Sequence, residues 1–104
     1  MARPDSGLQP VTLRELCEIS GAHTDFVLEM VEFGILEPAA GERAPGDRAQ
    51  WRFGGPAVRR SRRAVSLTRD FGINIEGLSL ALDLLDELDT SRRRIRVLER
   101  LLDR

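Results

Sequence analysis

The sequence of 104 residues predicts a mainly α-helical fold, in which a helix-turn-helix head with a short β-hairpin wing precedes one long C-terminal helix. Apolar residues recur every three or four positions in four segments, which is the spacing of helices with one buried face. Glycines and capping residues separate these segments. A hydrophobic content of 41% and a charged content of 32% are ordinary for a single globular domain of this length.

Two capped segments predict the helix-turn-helix unit. Thr12 and Glu15 form the capping-box pattern before a first helix that Gly21 ends. Thr24 is expected to cap the second helix, which Gly34 ends. The apolar faces comprise Leu13, Leu16 and Ile19 in the first helix, and Phe26, Val27, Met30, Val31 and Phe33 in the second.

The wing and the third helix follow in the middle of the chain. Residues 35–37 and 50–53 are expected to pair as the strands of the wing, with the turn-rich sequence AAGERAPGDRA between them. Pro56 marks the first turn of the third helix, which continues to Gly72. We expect Val58, Val65 and either Leu67 or Phe71 to face the core.

The last helix is predicted from Ile75, after the capping residue Asn74, to Leu102, a length of about 42 Å at ~1.5 Å per residue. One apolar stripe suits packing against the head and comprises Ile75, Leu78, Leu82 and Leu85. A second stripe has a seven-residue repeat and comprises Ala81, Leu84, Leu88, Ser91, Ile95, Leu98 and Leu102.

The second stripe predicts a homodimer. Beyond Leu88 the head is too small to cover this stripe, so the same helix of a second copy, parallel or antiparallel, is its expected partner. The interface residues would be Leu84, Leu88, Ile95, Leu98 and Leu102. The alternative is that this edge closes on the protein's own head. The elements together divide the chain into a flexible tail at 1–10, a head at 11–73 and the long helix at 74–104.

Residues with catalytic or ligand-binding chemistry are sparse. His23 is the single histidine and Cys17 the single cysteine, so the sequence has no evident nucleophile and base, and no metal-ligand cluster. We expect no enzymatic activity, no catalytic residues, no cofactor and no bound metal. No apolar run approaches the ~20 residues of a membrane span, and the N-terminus lacks the pattern of a secretory signal. The sequence therefore predicts a cytoplasmic protein.

A family resemblance covers nearly the whole chain from Val11. The strings VTLRELCEISGAHTDFVLEMVEFGILEP, WRF and RDFGINIEGLSLALDLL resemble the MerR-type winged helix-turn-helix with its dimerising helix. Within that superfamily they are most similar to the CbpM-type chaperone modulators. This resemblance implies a protein that binds the J-domain of a DnaJ/CbpA-like co-chaperone and inhibits its stimulation of Hsp70.

The charge of the second helix separates two functions within this superfamily. DNA-binding proteins of the MerR type generally carry basic and aromatic residues there, whereas this chain has Asp25, Glu29 and Glu32. At ~100° per residue these acids fall within an arc of about 60°, which would repel DNA and would suit a basic helix. We expect a J-domain-binding surface of Glu18, Asp25, Leu28, Glu29 and Glu32, without direct DNA binding. The plainer interpretation is a solvated face.

A DNA-binding transcriptional regulator is the alternative function. Residues 51–69 contain six arginines and no acid, whereas residues 70–89 contain six acids and no base. The possible phosphate contacts are Arg52 in the wing and Arg59, Arg60, Arg62 and Arg63 in the third helix. Salt bridges to the acidic segments, within or between subunits, are the competing interpretation of these arginines.

Overall fold

The computed structural model describes residues 9–39 and 47–103, which are mainly helical. Their elements in chain order are strand β1 (Val11–Thr12), helices α1 (Leu13–Ser20) and α2 (Thr24–Glu32), a 3₁₀ turn (Arg48–Gln50), strand β2 (Arg52–Phe53), and helices α3 (Gly55–Phe71) and α4 (Ile75–Leu102). The predicted fold class is confirmed. Residues 1–8 of the predicted tail and 40–46 of the predicted wing lie outside the described residues.

Side-chain caps fix the starts of α1 and α4 as the sequence predicts. Thr12 Oγ1 accepts a hydrogen bond from the Glu15 amide at 3.1 Å, and Glu15 Oε1 accepts one from the Thr12 amide at 2.8 Å. Asn74 Oδ1 accepts from the Gly77 amide at 2.8 Å. These bonds satisfy amide groups that the first turn of a helix leaves without a partner.

The start of α2 differs from the prediction by one residue. His23, in an extended conformation, occupies the N-cap position, and its carbonyl oxygen already accepts the first helical hydrogen bond from the Val27 amide at 3.1 Å. Thr24 is therefore the first helical residue and does not cap the helix. Helix α2 ends at Glu32 with Phe33 as its C-cap, and Gly34 follows with φ of +76°, a conformation that glycine adopts without strain.

The two short strands pair differently from the predicted wing. Strand β2 pairs antiparallel with β1, and residues 35–37 form no strand. The amides of Ile35 and Leu36 are instead bonded to the carbonyl oxygen of Met30, at 2.8 and 3.2 Å, which closes the end of α2. One bond from the Ala39 amide to the Arg52 carbonyl oxygen, at 2.6 Å, connects the segment after α2 to β2.

The core lies where α1, α2, α3, the strands and the first half of α4 meet. Its fully buried side chains include Leu16, Val27, Met30, Leu36, Phe53, Val58, Leu78 and Leu82. Trp51 is 8% exposed and meets Phe53 edge-on, with ring centroids 6.2 Å apart, so it is a packing residue of the head. Leu67 is the inward member of the predicted pair in α3, because Phe71 is 73% exposed.

Among the described residues, helix α4 packs against the head from Ile75 to about Asp89. Leu78 and Leu82 are buried and Leu85 is half-buried, as predicted for the first stripe. Every residue from Thr90 to Asp103 is exposed. The second stripe therefore does not close on the protein's own head, and that alternative is wrong.

Candidate partner-binding surfaces

Helix α2 presents three carboxylates on the side that faces away from the core. Asp25, Glu29 and Glu32 are all exposed, whereas Val27 and Met30 on the opposite side are completely buried. Within residues 9–39 and 47–103, the ion pairs include none of these three acids. We call Asp25, Glu29 and Glu32 the acidic stripe.

The acidic stripe lowers the stability of its own helix. Glu29 lies four residues after Asp25 and three before Glu32, so like charges are neighbours on the helix surface. Each such pair costs roughly 0.2–0.5 kcal/mol. Asp25 offsets part of this cost because it lies in the first turn, where the helix dipole favours a negative charge. A cationic ligand would relieve the remaining repulsion.

Glu18 and Leu28, the other two residues of the predicted J-domain-binding surface, are less available to a partner than the acidic stripe. Glu18 of α1 is exposed, and its Oε2 lies 3.9 Å from Nε of the exposed Arg14, so it has a cationic neighbour within α1. Leu28 is half-buried and packs against the core cluster. Its apolar surface is therefore already partly used by the fold.

Arg60 is a structural anchor of the head. Its Nε donates to the carbonyl oxygen of Ile35 at 2.8 Å, and its Nη2 lies 2.8 Å from Asp83 Oδ1. Its Nη1 donates to Asp86, and the Arg60 side chain is 19% exposed. One guanidinium thus joins the segment after α2 to two acids of α4, a role for which its planar donors are suited.

The other arginines that were predicted as possible phosphate contacts also interact with groups of the protein itself. Arg63 Nη1 lies 3.1 Å from Asp89 Oδ2, and Arg52 Nη1 donates to the carbonyl oxygens of Ala49 and Trp51. Arg59 and Arg62 lie exposed on α3 and make interactions of their own. The predicted salt bridges to the acidic segment at 70–89 are thus confirmed for Arg60 and Arg63.

A groove of about 770 Å³ lies between the segment after α2 and the helices α3 and α4. Arginines and acids line it in equal numbers: Arg59, Arg60, Arg63 and Arg93 against Glu37, Asp83, Asp86 and Asp89. This balance of charge gives the groove no preference for a phosphate. Between described residues there is also no cluster of three or more His, Cys, Asp or Glu that could hold a metal ion.

The second stripe of α4 is an exposed apolar surface. The exposed fractions of Leu84, Leu88, Ile95, Leu98 and Leu102 are 54%, 42%, 53%, 58% and 83%. The surface begins earlier than predicted, because Leu80 is 62% exposed on the same side. An apolar stripe of this length on one helix is typical of a protein interface. None of the helices among the described residues has an apolar stretch of the length that a membrane span requires.

Four exposed apolar residues were not predicted to lie at the surface: Phe33, Leu80, Val97 and Leu101. Phe33 is 46% exposed, although its spacing after Phe26 and Met30 predicted a buried ring. Leu80 was not assigned to either stripe. The position of Phe33 directly before Gly34, at the end of the helical pattern, was one signal, and the spacing of Leu80 four residues before Leu84 was another.

The comparison with known proteins agrees with the helix-turn-helix fold of the head. Residues 11–100 match the family described as MerR HTH family regulatory protein. Chaperone modulatory protein CbpM of Coxiella burnetii (strain Dugway 5J108-111) is 33% identical over 91 residues, which are 88% of this chain and 81% of the relative. The protein of the same name from Pseudomonas putida (strain GB-1) is 37% identical over 92 residues, 88% of this chain and 86% of the relative. The chain therefore belongs to the MerR helix-turn-helix family and, within it, to the CbpM chaperone modulatory proteins.

Proposed function

We propose that this protein binds the J-domain of a DnaJ/CbpA-like co-chaperone through α2 and thereby inhibits the co-chaperone's stimulation of Hsp70. The observation that carries the proposal is the acidic stripe, which is exposed, unpaired within the described residues and unfavourable for its own helix. The name shared by the similar proteins, chaperone modulatory protein CbpM, supports a partner of this class.

The stripe would act by occupying a basic helix. The resemblance to the CbpM-type modulators implies that a J-domain presents such a helix to its Hsp70 partner. A modulator bound to that helix would therefore compete with Hsp70. Exposed carboxylates mainly accelerate the encounter with a cationic surface, and salt screens them over a Debye length of about 10 Å at ~0.1 M. We therefore expect the association rate to fall as the salt concentration rises.

The alternative, a DNA-binding regulator, has weaker support. It requires Arg52, Arg59, Arg60, Arg62 and Arg63 to face phosphates together. Arg60 and Arg63 are bound to aspartates of α4, and the helix that MerR-type regulators place in the major groove is here acidic. Both features oppose a polyanion.

The experiment that tests the proposal is the ATPase activity of Hsp70, stimulated by the full-length co-chaperone and titrated with this protein. The variant Asp25→Asn/Glu29→Gln/Glu32→Gln removes the stripe. We expect it to inhibit roughly 30-fold more weakly, which corresponds to about 2 kcal/mol from three charges. Equal inhibition by the variant and the wild type would contradict the proposal.

The matched control removes three exposed acids elsewhere. The variant Asp70→Asn/Glu99→Gln/Asp103→Asn changes the net charge by the same amount, but its exposed acids lie at the end of α3, on α4 and at the C-terminal cap of α4. It should inhibit like the wild-type protein. If both variants lose inhibition equally, the effect is one of net charge and not of the surface on α2.

We also propose that a second copy covers the exposed stripe of α4, in an antiparallel orientation. The first half of α4 is acidic and the second half is basic: Glu76, Asp83, Asp86, Glu87 and Asp89 against Arg92, Arg93, Arg94, Arg96 and Arg100. Antiparallel pairing sets each acidic half against a basic half, whereas parallel pairing sets like charges together.

A further inference from the structure

Phe33 lies beside the acidic stripe and faces solvent. It follows Glu29 by four residues, so at ~100° per residue its side chain is about 40° from Glu29 around α2. Its exposed fraction is 46%, whereas Leu28 on the other side of the stripe is half-buried in the core cluster. Phe33, the C-cap residue of α2, is therefore the largest exposed apolar side chain beside the acidic stripe.

We infer that Phe33 is the apolar anchor of the partner-binding surface, and that it packs against the aliphatic and basic side chains of the helix bound by the acidic stripe. The inference rests on the proposed function and deepens it, since it names the residue that would hold the complex together. The bound element is thus a basic helix that also offers apolar surface about one turn away from its charges.

The backbone around Phe33 is held in place from both sides. The Phe33 amide donates to the Glu29 carbonyl oxygen at 3.0 Å, and the following Ile35 and Leu36 are buried at 3% and 1% exposure. The guanidinium of Arg60 holds the Ile35 carbonyl oxygen. Because the ring sits on an ordered backbone, binding would immobilise little more than its side chain, and a small ordering cost favours affinity.

The Phe33 ring and the carboxylates of the acidic stripe are expected to affect different rates of binding, because their environments differ. The carboxylates are exposed, so water competes with the ligand for them and they contribute mostly to the association rate. A ring that loses its water on binding contributes to the lifetime of the complex, and aromatic residues dominate the energetics of most interfaces. The face of the ring can also receive a cationic side chain.

The test compares two aromatic residues of the same chain. Phe71 is also exposed, at 73%, and it also precedes a glycine in the left-handed conformation, but it ends α3 and not α2. Binding of Phe33→Ala, Phe71→Ala and the wild-type protein to the full-length co-chaperone is measured by surface plasmon resonance. Phe33→Ala should raise Kd roughly 30-fold or more, mainly through a faster dissociation rate, and Phe71→Ala should bind like the wild type.

A second variant separates anchoring from folding. Phe33→Leu keeps an apolar side chain and should lose only part of the affinity, while circular dichroism of all three variants should match that of the wild type. Equal Kd values for Phe33→Ala, Phe71→Ala and the wild type would overturn the inference and leave the proposed function standing. A wild-type protein that does not bind the co-chaperone would overturn both.

Discussion

The role of Arg60 gives the sharpest prediction about stability. Arg60→Ala removes one bond to the Ile35 carbonyl oxygen and two ion pairs to Asp83 and Asp86, while the arginine side chain itself is 19% exposed. A hydrogen bond from a charged donor contributes about 1.5 kcal/mol at the lower end of its range. The two aspartates are 69% and 56% exposed, so each pair contributes only about 0.5 kcal/mol.

These contributions predict a loss of about 2.5 kcal/mol in the free energy of unfolding. For a domain of this size the corresponding fall in Tm is roughly 10 °C or more. Urea and thermal unfolding followed by circular dichroism measure both quantities, and all variants must be compared at one protein concentration because a dimer gains stability with concentration.

Three further variants separate the causes of the predicted loss. Asp83→Asn/Asp86→Asn removes the ion pairs but keeps the bond to Ile35, so it should cost only about 1 kcal/mol, and less at ~1 M salt. Arg60→Lys retains the charge but cannot reach all three acceptors, and it should be intermediate. The control Arg14→Ala, an exposed arginine of α1, should stay within about 0.5 kcal/mol of the wild type. A loss for Arg60→Ala no larger than that of Arg14→Ala would refute the anchoring role.

Two other predictions concern α4 and the core. Ile95→Asp/Leu98→Asp should give a monomer in sedimentation, because it places charges in the exposed stripe, whereas Val97→Asp, on the other side of α4 and 48% exposed, should not change the mass. An unchanged mass for the double variant would contradict the proposed dimer. Ser61→Ala should stabilise the protein by roughly 1 kcal/mol in urea unfolding, because the Ser61 side chain is fully buried and its hydroxyl has no hydrogen-bond partner among the described residues. A destabilised Ser61→Ala would indicate that the hydroxyl has a partner in solution.

Local signals predicted the helices well. The capping box of Thr12 and Glu15, the Asn74 cap and the glycines after α1 and α3 act through bonds within a few residues of the chain. Their consequences can therefore be inferred from short stretches of sequence. The bounds of α4, Ile75–Leu102, are those predicted.

The pairing of the strands and the burial of single residues depended on distant contacts. Strand β2 was predicted to pair with residues 35–37, but the amides of Ile35 and Leu36 are used by the end of α2, and β1 pairs with β2 instead. Periodicity likewise placed Phe33 inside, but its side chain is 46% exposed. Charge segregation predicted that α3 would pair with the acidic segment, but only the structure identifies Arg60 as the residue that also holds the Ile35 carbonyl oxygen.

We propose that α2 binds a basic protein surface and does not bind DNA. The affinity of the wild-type protein is to be measured, at a physiological ~0.15 M ionic strength, for three ligands: the full-length co-chaperone, the same co-chaperone without its J-domain, and duplex DNA. We expect binding to the full-length co-chaperone alone. Salt-sensitive binding to DNA, together with no difference between the two forms of the co-chaperone, would contradict it.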